Sequence, residues 1–294
     1  MNIYTTMGPT PSRVLGLFRL LLVRGGEVPE SELADLFHPV PLRGKDTKYP
    51  EEVLAAASEL GLTERAPGSE PPSVRVTEGI MPDERDLQRL DETFPRTVAR
   101  LALRSETGGE PNRFARLCAW FLAQPVGGIP VGHGALKTEI LKAKSRPGWN
   151  LSIDNDNRLD MVVYWAKYLG LVAQLRDVKC EGLVGDPTDF LRRHLSDLLP
   201  DTVVVPIRAF RERLGLLCPV LDGGSVREET LAAFDLGWSD DRLSDAIAFA
   251  LRRLVGEGLI RLEYFNDARG GSFLRLGPEQ KVTGLARLAA KGAS

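Results

Sequence analysis

The alternation of apolar and polar positions is clearest over residues 240–277. Leu243, Ile247, Ala250, Leu251 and Leu254 recur at i, i+4, i+7, i+8 and i+11, the spacing of one buried helix face. Ser239 and Asp240 are suited to cap that helix, and Gly256-Glu257-Gly258 to end it. Leu259 to Phe265 then reads as a strand, Asn266 to Gly271 as a turn, and Ser272 to Leu276 as the partner strand. Two earlier stretches repeat the junction. Val53, Leu54, Ala57 and Leu60 form a stripe closed by Gly61-Leu62, and Leu159, Val162, Val163, Ala166 and Leu169 form one closed by Gly170-Leu171. Each glycine suits the left-handed turn that finishes a helix, a conformation other residues resist.

Taken in order, the chain predicts helices over residues 12–24, after Pro29, and over 49–60, followed by strands 62–66 and 73–77 around a Pro- and Gly-containing turn. Residues 86–94 and 96–104 read as helices broken at Pro95. Asn112 is placed to cap a helix carrying Phe114, Leu117, Cys118, Phe121 and Leu122. A helix over 135–144, the stripe of 158–169, strands 171–175 and 182–184, and a helix beginning at Asp186-Pro187-Thr188-Asp189 follow. Val203 to Val205 reads as a short strand, and helices over 207–217 and 227–234 lead into the stretch first described. The expected class is mainly α with small β-hairpins (α+β), arranged as tandem winged helix-turn-helix modules. Their bounds are 1–80, 111–200 and 201–277, with a helical linker at 81–110 and a tail at 278–294.

Composition adds limits. The 294 residues are 43% hydrophobic and 27% charged, as in an ordinary globular protein with room for two or three domains. Cys118, Cys180 and Cys218 are widely spaced, odd in number and outside any C-x-x-C pair, which argues against a disulfide framework or a zinc site and for a reducing, cytoplasmic setting. The start shows no signal-peptide pattern, and no apolar run approaches the roughly 20 residues of a membrane span. Net charge is −2, so the chain lacks the overall basic surface with which a lone DNA-binding domain neutralises phosphate.

Catalytic and metal signatures are not met. Asp154-Asn155-Asp156-Asn157 begins like a calcium loop, but Leu159 stands at the sixth position and Trp165 at the twelfth, where Gly and Glu belong. Gly127-Gly128 and Gly132-His133-Gly134 lack the Gly-Lys-Ser/Thr ending of a phosphate loop. His38, His133 and His194 are scattered, and Glu279-Gln280-Lys281 lacks the acidic strand of a nuclease site. The expectation is a chain with no enzymatic activity, cofactor or metal.

Two sets of residues remain as binding candidates. Between Lys137 and Tyr168 six basic residues stand against four acidic ones. Lys137, Lys142, Lys144, Arg146 and Arg158 from that stretch, with Arg252, Arg253 and Arg269 in the last module, are the candidate nucleic-acid contacts. Opposing them, Asp240, Asp241 and Asp245 sit at the helix end that would enter a groove, and the 49–60 helix presents Glu51, Glu52, Ala55 and Glu59 outward. The second set is Met161, Tyr164, Trp165 and Tyr168, which make the 158–169 helix apolar or aromatic nearly all round. These are candidates for intramolecular packing or for a protein interface.

The run Cys218-Pro219-Val220-Leu221-Asp222-Gly223-Gly224 and the later run from Leu251 to Tyr264 resemble the C-terminal part of the DpdG family. That family is encoded in bacterial clusters that place 7-deazaguanine bases in DNA and restrict unmodified DNA. The resemblance implies an accessory subunit of a DNA modification and restriction, or phage-defence, system, working beside ATPase, helicase or nuclease partners. The leading expectation is a non-enzymatic adaptor that assembles these proteins and contacts DNA at most secondarily. The alternatives are a free-standing winged-helix transcriptional regulator and a structural tandem winged-helix subunit like those of SMC complexes.

Overall fold

The computed structural model describes residues 9–37, 49–83, 87–107, 110–125, 129–130, 138–140, 142, 156–177, 180–201, 203–234, 236, 241–264, 271–274 and 280–288. The helices are α1 (Pro11–Val23), α2 (Glu30–Phe37), α3 (Tyr49–Leu60), α4 (Leu90–Ala102), α5 (Arg113–Ala123) and α6 (Asp156–Leu169). They continue with α7 (Thr188–Arg193), α8 (Leu195–Leu198), α9 (Ile207–Leu217), α10 (Ser225–Ala233) and α11 (Asp245–Gly256). The strands are β1 (Glu27–Pro29), β2 (Thr63–Arg65), β3 (Ser73–Val76), β4 (Glu106–Thr107), β5 (Glu110–Pro111), β6 (Ile129–Pro130), β7 (Val172–Asp177) and β8 (Cys180–Gly185). Last come β9 (Val205–Pro206), β10 (Ile260–Glu263), β11 (Ser272–Leu274), β12 (Gln280–Val282) and β13 (Gly284–Arg287). The class is therefore mainly helical with small antiparallel sheets, an α+β protein. Among the described residues no helix is long and apolar enough to cross a membrane.

The chain folds as two compact units, one of residues 1–102 and 153–168, the other of 103–152 and 169–294. In the first, Val14, Leu17, Phe18 and Leu21 of α1 are buried with Val53, Ala57 and Leu60 of α3, and these two helices pack together. Burying each large apolar side chain contributes about 1.5–3 kcal/mol. Phe94 of α4 meets Phe18 with ring centroids 5.3 Å apart. The break expected at Pro95 does not occur, and α4 runs through it. Phe94, Pro95 and Val98 are buried, so packing of that face offsets the hydrogen bond that proline cannot make.

Three small sheets share one order. In β1-β3-β2, β6-β8-β7 and β9-β13-β10 the last strand in sequence lies in the middle. The glycines that precede the second strand of each sheet have the expected left-handed backbone: φ is 81° at Gly61, 77° at Gly170 and 70° at Gly258. At Gly61 and Gly258 the turn also carries the paired bonds of a Schellman motif. Leu62 N donates to Ala57 O and Gly61 N to Ser58 O, while Leu259 N donates to Leu254 O and Gly258 N to Val255 O.

The C-terminal hairpin differs from its sequence reading. β10 pairs with Gly284–Arg287, not with Ser272–Leu274, which pairs instead with Gln280–Val282; the rest of the expected strand, residues 275–276, lies outside the described residues. Residues 280–282 and 284–287 of the expected tail are therefore strand. β13 is buried at Leu285 and Ala286 and is held on both sides, by β10 and by β9. Four residues beginning with glycine carry too little alternation to announce a central strand. Helix α11 also starts later than expected: Ser244 caps it, its hydroxyl accepting from Ile247 N at 3.2 Å. Ser239 and Asp240 lie outside the described residues.

Candidate protein and nucleic-acid interface

Helix α11 buries Ala246, Ile247, Ala250, Leu251 and Leu254, which turns Arg252 and Arg253 toward its margin. Arg253 is not held ready for phosphate. Its guanidinium pairs with the carboxylate of Asp186, which is itself buried and accepts from Thr188 N at 3.0 Å and from the Thr188 hydroxyl. The Phe249 ring lies beneath the same guanidinium, 5.8 Å away at its centroid. One acid thus starts α7 and ties it to α11. A second link lies beside it, where Arg192 of α7 grips Glu257 with two nitrogens at 2.7–3.1 Å and also pairs with Asp189. Hydrogen bonding to Glu257 holds the Arg192 guanidinium above its ordinary value, with Asp189 adding to it against partial burial.

The other basic candidates are dispersed. Lys142 pairs with Glu139 at 2.6 Å, Arg252 and Arg158 are half-buried, and Arg158 belongs to the first unit. Lys137, Lys144, Arg146 and Arg269 lie outside the described residues, as do His38, His133, Asp154 and Asn155.

The aromatic set on α6 divides by burial. Met161 and Trp165 are enclosed, at 4% and 0% exposure, whereas Tyr164 is 47% exposed and Tyr168 half-buried. The Trp165 indole donates to the Pro9 carbonyl at 3.0 Å and meets the Tyr168 ring edge-on at 6.0 Å. Intramolecular packing accounts for Met161 and Trp165, and Tyr164 is the member of the set left facing solvent.

A constellation that sequence reasoning missed centres on Asp222. This carboxylate is 1% exposed, pairs with Arg227 Nε at 3.0 Å, itself 3% exposed, and accepts from Ser244 N at 2.7 Å. It therefore joins the start of α10 to the N-cap of α11. The glycines around it permit the approach: a Cβ on Gly215 would stand 2.1 Å from Gly223 O, and one on Gly224 would stand 2.3 Å from Pro219 O. In the sequence the only trace is a carboxylate followed by two glycines, with no sign of its distant partners.

A model of the DpdG-like family matches residues 1–268. The chain belongs to the DpdG-like family. No curated protein and no solved structure matches it. Membership ties the chain to a 7-deazaguanine modification system, and the match extends the likeness from the C-terminal runs through the N-terminal two thirds. It stops short of strands β11 to β13, which close the last two sheets.

In this DpdG-like chain the family run Cys218–Gly224 is a packing element, and its cysteine behaves accordingly. Cys118 and Cys218 are both fully buried free thiols. Burial, and secondarily the charge of Cys218, pushes the Cys118 thiol well above its ordinary value. Burial pushes Cys218 up to about 12, against hydrogen bonds from the Val220 and Leu221 backbone. Both thiols are expected to resist alkylation at pH 8 until the chain unfolds, as counted by mass spectrometry with and without denaturant. Because the folded values lie above the unfolded ones, the contribution is complete below about pH 8.5, and that of Cys218 is lost as pH rises toward about 12. The expected slope is about 1.4 kcal/mol per pH unit for Cys218, with Cys118 acting in the same direction. Denaturant midpoints that hold steady between pH 8 and pH 11 would contradict this.

Proposed function

We propose that this chain is a non-enzymatic adaptor of a 7-deazaguanine DNA modification and restriction system, built from winged-helix modules that hold protein partners rather than reading DNA. The shared strand order of the three sheets supports the modules, since a winged helix sets its last strand between the other two. The observation that carries the adaptor role is the commitment of Arg253 to buried Asp186. The cation best placed on α11 to meet a phosphate serves an internal joint instead. Exposed Glu51 on α3 supports the same reading, because a carboxylate on that face repels a phosphate backbone.

The partners fitting this role are the ATPase, helicase or nuclease subunits of the same system. Co-expression followed by affinity purification of the full chain tests it, with at least one such subunit expected to remain bound. The competing regulator reading predicts tight binding of a defined duplex by the chain alone, with affinity falling steeply as salt rises. Fluorescence anisotropy at physiological ionic strength is expected to show no such binding, and a tight, salt-sensitive complex would replace the adaptor reading.

Arg253→Ala separates the two roles of this residue. It is expected to cost about 1.5–3 kcal/mol of stability, the range for a hydrogen bond to a charged group, by leaving Asp186 without its partner. Denaturant unfolding measures the loss. A variant as stable as the wild type would show that the Asp186 joint contributes little and would return Arg253 to the list of phosphate contacts.

A further inference from the structure

We infer that the first unit carries a docking groove for a basic, extended segment of a partner protein, formed by α3 and the β2–β3 hairpin. This deepens the adaptor reading and rests on it, naming the chemistry of what the chain holds. The groove encloses about 470 Å³, within the range of sites that receive a ligand or several side chains. Leu54, Ala55 and Val74 supply its apolar lining, and three consecutive residues, Thr63, Glu64 and Arg65, bring β2 to its wall.

Three observations identify the occupant. Thr63 is 2% exposed and lines the groove, yet its hydroxyl has no hydrogen-bond partner among the described residues. Leaving a buried polar group unmet carries a penalty that a donor or acceptor reaching it removes. Charge is the second observation. Glu30, Glu51 and Glu64 line the groove against one guanidinium, Arg65. Glu30 is paired with Arg65 and Glu64 with Arg75, whereas Glu51 is exposed and has no ion pair among the described residues. The open charge is negative, so it selects Lys or Arg and rejects phosphate. Finally, β2 is an outer strand of its sheet among the described residues, and an outer strand offers backbone groups for an added strand. A Lys- or Arg-bearing extended peptide satisfies all three.

The test uses the full chain and an array of overlapping peptides spanning the other protein subunits of the system. Wild type is expected to bind peptides in which Lys or Arg alternates with apolar residues. Glu51→Lys is expected to weaken the selected peptides by about ten-fold or more, and a Lys→Glu exchange in the peptide to restore binding to that variant. Thr63→Val probes the hydroxyl separately: its thermal midpoint should equal or exceed that of wild type while peptide affinity falls about five- to ten-fold. The inference is overturned if no peptide binds, if acidic peptides bind equally well, or if both variants keep wild-type affinity. Co-purification distinguishes this failure from that of the adaptor reading. Partners retained in full by Glu51→Lys and by Ala55→Arg overturn the groove alone, and partners never retained by wild type overturn both.

Discussion

Asp222→Ala is expected to remove about 3–5 kcal/mol of stability, the cost of breaking a buried ion pair by removing one member, here the pair with Arg227. Set against the roughly 5–15 kcal/mol that holds a domain folded, this is enough to unfold the second unit at moderate temperature. The loss has two parts. Asp222 neutralises Arg227 and also accepts from Ser244 N, the residue whose hydroxyl caps α11. Asp222→Asn keeps an acceptor for Ser244 N and abolishes the charge, so its loss should fall between wild type and Asp222→Ala. Replacing Asp222 and Arg227 together by apolar residues should cost less than Asp222→Ala alone, because the buried positive charge is then removed along with the negative one. Denaturant titrations of the four proteins measure the pattern. A loss under about 1 kcal/mol for Asp222→Ala would show that the pair does not hold α10 and α11 in place.

Trp165→Ala should be comparably damaging, at about 3–5 kcal/mol for truncating a large buried aromatic side chain. Trp165 is fully enclosed, and its indole N–H satisfies the Pro9 carbonyl 156 residues away in sequence. Trp165→Phe retains much of the apolar volume but leaves that carbonyl without its donor, and should lose markedly less than the alanine variant. Tyr164→Ala, one position earlier on the exposed side of α6, should change stability by less than about 0.5 kcal/mol. Thermal and denaturant unfolding of the three variants tests the division of this helix into an inward and an outward aromatic face. Equal losses at Trp165 and Tyr164 would refute it.

Much of the architecture was readable because it is local. The stripes that form α1, α3, α6 and α11 repeat at helical spacing within a dozen residues, and a glycine in the left-handed region marks where three helices stop. Asn112 capping α5 is equally local, its side chain accepting from Ala115 N three residues on. The candidate site was less legible. Arg253 looks like a surface cation until Asp186, 67 residues earlier, is found to receive it. Lys142 likewise owes its pairing to Glu139 one turn back, which a count of local charge does not weigh. Thr63, an unremarkable strand residue in the sequence, gains meaning only from the groove it lines and from a hydroxyl without a partner among the described residues.

The sequence by itself determined where helices run and stop, that the fold is mainly helical with short hairpins, and, through the Cys218–Gly224 and Leu251–Tyr264 runs, the family. Spacing at 3.6 residues, caps and turn glycines act between near neighbours, so a linear reading captures them. Only the tertiary structure decided that Gly284–Arg287 is a central strand, that Asp222 joins two helices, that Trp165 is buried while Tyr164 is not, and that α3 and β2 enclose an acidic groove. These depend on which distant surfaces meet. Burial and charge pairing are properties of that meeting, and the same side chain is a contact, a joint or a solvated charge according to what is folded against it.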